Sequence, residues 1–108
     1  MSFLSAHVLD TTAGKPATGV SLHLATAEGE HIASATTDED GRASDLGPET
    51  LAPGDYRITF ETGEYFSARG EATFFPRVAV DFTVVHGETH YHVPLLLSPY
   101  AFSTYRGS

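Results

Sequence analysis

Short runs of alternating apolar and polar residues, each ended by a turn signal, are the feature of this chain that most restricts its fold. A period of two buries one face of an extended strand, whereas a helical bundle needs long stretches with an apolar residue every 3.6 positions, and such stretches are missing here. The sequence therefore predicts an all-β sandwich. The clearest predicted strands cover residues 3–10, 19–27, 56–61 and 77–85.

One short helix is predicted among these strands, over residues 62–70. Thr62 is placed to cap its first turn, and Gly70 is placed to end it. Tyr65 and Phe66 would pack inward against the sandwich. The rest of the chain predicts strands and the turns that connect them.

Length and composition limit what kind of protein this chain can be. With 108 residues, of which 41% are apolar, we expect a single domain over residues 1–108 with a modest core, so that association into oligomers would be unsurprising. The 14 acidic and 6 basic residues give a net charge of −8, which argues against binding to nucleic acid or to an anionic membrane surface. The chain has no cysteine, which excludes a disulfide framework, a thiolate zinc site and a thiol nucleophile.

The N-terminal residues show neither a basic start nor a long apolar run. No stretch of the chain approaches the roughly 20 apolar residues of a membrane-spanning helix. We therefore expect a soluble, cytoplasmic protein.

The C-terminal segment has ionisable side chains at strand positions where a sandwich usually has no functional residues. Alternation puts His90 and His92 on the face opposite a run of core residues. His7 lies with Ser5 on a similarly mixed face of the first strand, and Tyr105 lies on that of the last. If these strands are neighbours, they share a half-buried surface, and a subunit interface is the simplest interpretation.

Such a surface has the groups needed for proton transfer. Histidine is the side chain whose ordinary pKa lies nearest neutrality, and the forked donors of Arg42 and Arg106 suit a planar anion. Two other interpretations stay open. His7 or His92 taken alone is more often a structural histidine than a catalyst, and three imidazoles from His7, His90 and His92 could instead hold a catalytic zinc ion. We rank acid/base catalysis above zinc because no carboxylate cluster accompanies the histidines.

Several short motifs lie along nearly the whole chain. They are His7-Val8-Leu9-Asp10, Gly14-Lys15-Pro16-Ala17, Asp40-Gly41-Arg42, Gly54-Asp55-Tyr56, Glu64-Tyr65-Phe66, His90-Tyr91-His92-Val93-Pro94, Ser98-Pro99 and Tyr105-Arg106-Gly107-Ser108. Together they resemble the family of transthyretin-related 5-hydroxyisourate hydrolases, and the central and C-terminal motifs are the specific ones. Ala101-Phe102 stands where that family often has Gly-Tyr, a departure that affects no catalytic position.

The resemblance implies a transthyretin-like (prealbumin) sandwich of two four-stranded sheets with one short helix. It also implies a homotetramer, built as a dimer of dimers, with active sites in a channel between the dimers. The residues implied to be catalytic are His7, Arg42 and His92. The residues expected to bind the substrate are Tyr105, Arg106 and Ser108. No metal or cofactor is expected.

The activity implied is hydrolysis of 5-hydroxyisourate to 2-oxo-4-hydroxy-4-carboxy-5-ureidoimidazoline in urate breakdown. The hormone-carrying transthyretins share the fold but lack the histidine pair and the Tyr-Arg-Gly-Ser end, so the sequence favours an enzyme over a carrier. A non-enzymatic carrier of small ligands and a His-ligated zinc hydrolase remain the alternatives.

Overall fold

The computed structural model describes residues 3–107, and its strands lie in two sheets that enclose one apolar core. The strands and the single helix, in chain order, are β1 (Leu4–Asp10), β2 (Lys15–Pro16), β3 (Ser21–Thr26), β4 (His31–Thr36), β5 (Arg42–Ala43), β6 (Gly54–Phe60), α1 (Thr62–Ala68), β7 (Val78–Val84), β8 (Tyr91–Ser98) and β9 (Ala101–Thr104). The predicted all-β sandwich with one short helix is confirmed.

The two sheets differ in the order and direction of their strands. The first has the order β2-β1-β8-β9, with β5 also paired to β1, and the second has the order β4-β3-β6-β7. β1 and β8 run parallel, and the other paired strands run antiparallel. The parallel pair brings the N-terminal strand beside the C-terminal segment, which the sequence predicted only as a possibility.

The first sheet has five strands where four were expected. The region of β2 was predicted as a loop, but its two residues pair with Leu9 and Asp10, and β5 pairs with Ala6 and His7. Because β8 occupies one edge of β1, the two short strands follow one another along the other edge. β5 therefore begins opposite the middle of β1.

Alternation in β1 and β8 buries their inward faces, as the sequence predicted. Leu4, Ala6 and Val8 are fully buried, and so are Leu95 and Leu97. The second sheet supplies fully buried side chains to the same core, namely Leu22, Leu24, Ile58 and Phe60. Burying one such large apolar side chain contributes about 1.5–3 kcal/mol, so this core holds the sheets together and leaves the outward faces of β1 and β8 free for polar groups.

The helix α1 matches its predicted position, and Tyr65 and Phe66 are buried as expected. The cap role predicted for Thr62 is wrong. Thr62 lies inside the first turn, and its buried hydroxyl donates a 3.0 Å hydrogen bond to the carbonyl of Phe75. Gly70 follows the helix with a φ of 71°, a left-handed conformation that favours glycine. Within the described part of the chain, no helix is long and apolar enough to cross a membrane.

A buried carboxylate ties α1 to the end of β1. Asp10 is 2% exposed, and one of its oxygens accepts hydrogen bonds from the backbone N–H groups of Thr12 and Ala13. The other oxygen accepts a 2.8 Å hydrogen bond from the hydroxyl of Tyr65. Burial, together with this hydrogen bond, raises the pKa of Tyr65 to about 12, so the phenol stays protonated and remains the donor. The contact anchors the helix without leaving either group unsatisfied.

Candidate active site

The register between β1 and β8 brings the predicted histidines together. Ser5 lies opposite His92, and His7 lies opposite Pro94, on the outward face of the first sheet. The ring centroids of His7 and His92 are 6.4 Å apart, with their planes tilted by 34°. Two imidazoles from opposite ends of the chain therefore face one small region of surface.

The turn before β5 delivers Arg42 to the same region. Arg42 pairs with His7 across β5 and β1, so the predicted trio lies on adjoining strands. Gly41 has a φ of 74°, and a Cβ there would collide with the carbonyl oxygen of Val8, so only glycine fits. The turn predicted at Asp40-Gly41 is confirmed.

The carboxylate of Asp38 stabilises this turn through two hydrogen bonds. Oδ1 of Asp38 accepts hydrogen bonds from the backbone N–H groups of Asp40, at 2.9 Å, and Arg42, at 3.0 Å. The backbone N–H of Arg42 is the main reason that the pKa of Asp38 lies below its ordinary value. The carboxylate is therefore charged at neutral pH and fixes the backbone from which the Arg42 side chain extends.

The hydrogen bond of His7 identifies which of its nitrogens bears a proton. Nε2 of His7 lies 3.0 Å from the carbonyl oxygen of Asp40. A carbonyl oxygen accepts hydrogen bonds and cannot donate, so Nε2 must carry the hydrogen. The nitrogen left for chemistry is Nδ1, which accepts a proton in the neutral ring and donates one in the imidazolium.

His92, like His7, is half-buried. Its Nδ1 lies 2.8 Å from the hydroxyl oxygen of Ser5. Burial lowers the pKa of His92, and the charge of Arg42 and the neighbouring His7 and His90 lower it further, against an opposing effect of the Ser5 backbone. His92 is therefore neutral at neutral pH, which is the form that a general base requires.

These groups open into a cleft of about 200 Å³. It is lined by Ser5, Ala6, Arg42, Ser44, His90 and His92. The cleft combines a neutral imidazole with an exposed guanidinium, while His7 lies on the adjoining part of β1. Such an arrangement can activate water and stabilise negative charge on a carbonyl oxygen.

Two lining residues were not named as catalytic or substrate-binding from the sequence, although His90 was considered as a zinc ligand. Ser5 was assigned to the mixed face of the first strand, and His90 was set aside in favour of His92. The hydroxyl oxygen of Ser5 lies 3.1 Å from Nε2 of His90, as well as 2.8 Å from Nδ1 of His92. The signal was present in the alternation, since Ser5 shares a face with His7, but only the β1–β8 register shows that it lies between two histidines.

The three-histidine zinc arrangement is not formed. Among residues 3–107, no three His, Asp or Glu side chains are grouped so that they could hold one metal ion. His7 donates Nε2–H to the Asp40 carbonyl, and the facing nitrogens of His90 and His92 are both engaged by Ser5.

The C-terminal residues predicted to bind substrate lie beside a second cleft, of about 300 Å³, between β7 and the beginning of β8. Tyr105 is 59% exposed at its rim. A guanidinium nitrogen of Arg106 donates a 3.1 Å hydrogen bond to Glu88, and its central carbon lies 4.4 Å above the ring of Tyr91. His92 lines both clefts, whereas Tyr105 and Arg106 line only the second.

Although the second cleft is larger, we place the candidate active site in the first, because that cleft combines Arg42 with His92. After Arg106 the chain nevertheless reaches His92, which lines both clefts. Gly107 pairs with His92 in an isolated antiparallel bridge, which brings the end of the chain beside the His92 ring. Ser108, the third residue predicted to bind substrate, lies outside the described residues.

Comparison with known proteins places the whole chain in one group. The family model described as HIUase/Transthyretin family matches residues 4–107. The 5-hydroxyisourate hydrolase of Salmonella typhimurium is 48% identical over 111 residues, covering 99% of this chain and 82% of the relative. That of Caulobacter vibrioides is 45% identical and is covered completely, as is this chain.

Solved structures agree with this grouping. The 5-hydroxyisourate hydrolase of Klebsiella pneumoniae superposes with a TM-score of 0.91 at 40% identity, covering 99% of this chain and all of the other. Sea bream transthyretin in complex with thyroxine superposes with a TM-score of 0.90 at 33% identity, covering 97% of this chain and 94% of the other. One fold thus accommodates both a hydrolase and a thyroxine-binding protein.

Proposed function

The chain belongs to the HIUase/transthyretin family, and we propose that it hydrolyses 5-hydroxyisourate with His7, Arg42 and His92 as its catalytic groups. Relatives named for this activity match the chain over their full length or nearly so, and they include bacterial and mouse proteins. The chain is accordingly a hydrolase of purine breakdown. The observation that carries the residue assignment is the cleft in which neutral His92 and the Arg42 guanidinium meet beside His7.

The state of each histidine suggests its role. His92 is neutral at neutral pH and has Nε2 unused by Ser5, so it takes a proton from the attacking water. The water oxygen then bonds to the ring carbonyl carbon. His7 has Nε2 committed to the Asp40 carbonyl, and as the imidazolium it donates its Nδ1 proton to the ring nitrogen when the carbon–nitrogen bond breaks. The protons balance, since one enters His92 as one leaves His7.

Arg42 stabilises the negative charge that develops on the carbonyl oxygen. In enzymes where one such donor has been removed, the loss is about 3–4 kcal/mol of transition-state stabilisation. Because the whole chain carries a net charge of −8, attraction for an anionic substrate has to be local, and the Arg42 guanidinium in the cleft provides it.

We assign Tyr105, Arg106 and Ser108 to substrate binding as part of the same proposal. The exposed Tyr105 ring is available to position the substrate ring. Arg106 acts by anchoring the C-terminal segment through Glu88 and Tyr91 of the same chain, directly before Gly107.

The proposal includes a homotetramer, a dimer of dimers, working in the cytoplasm. Support for the homotetramer is the shared outward face of β1 and β8, neighbouring strands whose surface mixes His7 and His92 with the half-buried apolar side chains of Leu9 and Leu96. Sedimentation equilibrium gives the subunit number, and fractionation of producing cells gives the location.

A carrier of small ligands is the second candidate, because sea bream transthyretin in complex with thyroxine shares the fold. Both possibilities are tested by generating 5-hydroxyisourate from urate with urate oxidase and following its ultraviolet absorbance, with and without the protein and with and without a chelator. Accelerated decay that survives chelation supports the hydrolase. Decay lost on chelation supports a metal-dependent site, and ligand binding without any acceleration supports the carrier.

A further inference from the structure

The Ser5 hydroxyl lies between two imidazole nitrogens. Its oxygen is 2.8 Å from Nδ1 of His92 and 3.1 Å from Nε2 of His90. A hydroxyl has one hydrogen, so it can donate to only one of the two rings. The other ring must donate to the Ser5 oxygen, and its facing nitrogen must therefore carry a hydrogen. The proton positions on His90, Ser5 and His92 are thus linked.

Two arrangements use the Ser5 hydrogen within this bridge; in a third, both rings donate to the Ser5 oxygen, which also leaves a lone pair on Nε2 of a neutral His92. In one, Nδ1–H of His92 donates to Ser5 and Ser5 donates to Nε2 of His90, which leaves a lone pair on Nε2 of His92. In the other, His90 donates to Ser5 and Ser5 donates to His92, which places the hydrogen of a neutral His92 on Nε2. Of the two arrangements that use the Ser5 hydrogen, only the first leaves His92 able to accept a proton through the nitrogen that Ser5 does not use.

We propose that Ser5 and His90 are positioning residues that hold His92 in its Nδ1–H tautomer, so that Nε2 is a base directed at the cleft. The inference rests on the proposed function, in which His92 activates water. The Arg42 guanidinium supports it, because a cation that lines the same cleft favours a lone pair over an N–H on a ring nitrogen facing that cleft.

The pairing of β1 with β8 places Ser5 and His90 beside His92. Ser5 is fixed directly opposite His92 by the parallel register of β1 and β8. His90 precedes β8 and is exposed, so its own Nδ1 can exchange hydrogen bonds with solvent while Nε2 accepts from Ser5. The charged and titratable groups that bear on His92 from the packed elements are Arg42, His7 and His90.

The same bridge occurs a second time, away from the cleft, and supplies a matched control. In the second sheet the hydroxyl of Ser34 lies 2.8 Å from Nδ1 of His23 and 2.8 Å from Nε2 of His31. Ser34→Ala removes this bridge without touching the first sheet, whereas Ser5→Ala removes the one beside the cleft.

The first test is the imidazole nitrogen NMR spectrum of the whole protein at pH 8, which distinguishes the two neutral tautomers whether or not the protein is active. The His92 signals are assigned by their loss in His92→Asn. We expect the Nδ1–H tautomer in the wild type and a change towards Nε2–H in Ser5→Ala. A wild-type His92 with its hydrogen on Nε2 overturns the inference, and this readout is independent of whether 5-hydroxyisourate is the substrate.

The second test is kinetic. We expect Ser5→Ala to lower kcat by about ten- to a hundredfold, less than loss of the general base itself, with KM little changed. Ser5→Thr, which keeps the hydroxyl, and His90→Gln, which keeps an acceptor, should retain more activity than Ser5→Ala and His90→Ala respectively. Unchanged kcat in Ser5→Ala, or an equal loss in Ser34→Ala, overturns the positioning role. If the wild type itself does not hydrolyse 5-hydroxyisourate, the proposed function fails, and the tautomer spectrum still decides the state of His92.

Discussion

The backbone N–H of Gly107 donates a 2.8 Å hydrogen bond to the carbonyl of His92, and a Cβ at Gly107 would lie 2.6 Å from Cδ2 of the His92 ring. Real Cβ atoms essentially never approach a ring carbon so closely. The end of the chain therefore fits against the proposed base only because this position is glycine.

Gly107→Ala should consequently displace either the C-terminal residues or the His92 ring. A misplacement of about 1 Å at a catalytic group can cost about a hundredfold in rate, so we expect a large fall in kcat. Thermal unfolding should change little, because the substitution lies near the end of the chain. Ser103→Ala, on the exposed strand β9, is the control, and wild-type kcat in Gly107→Ala would show that the contact has no catalytic importance.

Replacing His92 by asparagine tests the base directly. The asparagine amide would keep a polar group near Ser5 but could not accept a proton, so kcat for 5-hydroxyisourate should fall by about a hundredfold or more. Sedimentation and circular dichroism should match the wild type. Turnover close to the wild-type value would remove His92 from the mechanism.

The lowered pKa of His92 predicts the acid side of the rate profile. Below its pKa the imidazole is protonated and cannot act as a base, so activity should fall with decreasing pH, and the fall should be centred below the ordinary histidine value of 6.5. The same protonation disfavours the folded state, because the unfolded chain binds the proton more readily, so stability should also decrease as pH drops below 6.5.

Arg42 contributes to that shift, after burial. Arg42→Gln should therefore raise the pKa of His92, which the proton NMR titration of its ring measures, and should weaken activity at every pH through loss of oxyanion stabilisation. Arg57→Gln, which breaks an exposed ion pair with Asp81 on the other sheet, is the matched control. An unmoved His92 titration would show that Arg42 has no part in lowering its pKa.

Tyr65→Phe tests the buried link between α1 and β1. It removes one hydrogen bond from the Asp10 carboxylate, which is 2% exposed, and should reduce the free energy of unfolding by about 1–3 kcal/mol. Calorimetry with Tyr100→Phe as the exposed control measures the difference. Because Tyr65 lies outside both clefts, kcat should be unaffected at temperatures where the variant is folded.

The sequence predicted the sandwich because its strands alternate strongly, and burial in β1 and β8 follows that alternation except at Pro94, which is buried on the outward face. It did not predict β2 and β5, since two-residue strands leave no periodic signal and depend on the neighbouring edge of β1. The cap assigned to Thr62 failed for a similar reason, because the acceptor of its hydroxyl is the distant Phe75 carbonyl.

The residues of the site could be named from local motifs, but their assembly could not be predicted from them. His7, Arg42 and His92 were named from motifs, and their assembly on adjoining strands depends on the pairing of β1 with β5 and β8. The bridge between Ser5 and His90 was not predicted, because a serine and a histidine 85 positions apart acquire meaning only through a strand register. Hydrogen-bond geometry then identified the proton-bearing nitrogen of His7, which no sequence pattern expresses.

The two short strands beside β1 also affect how the first sheet can grow. An exposed strand edge invites another chain to add to it through backbone hydrogen bonds, and short edges and proline discourage such addition. β2 and β5 are two residues long, and Pro16 in β2 has no N–H to offer. β5, which places Arg42, and β2 thus discourage the addition of another chain at the edge of the sheet beside β1, the strand that carries His7. The opposite edge, formed by β9, is the longer one.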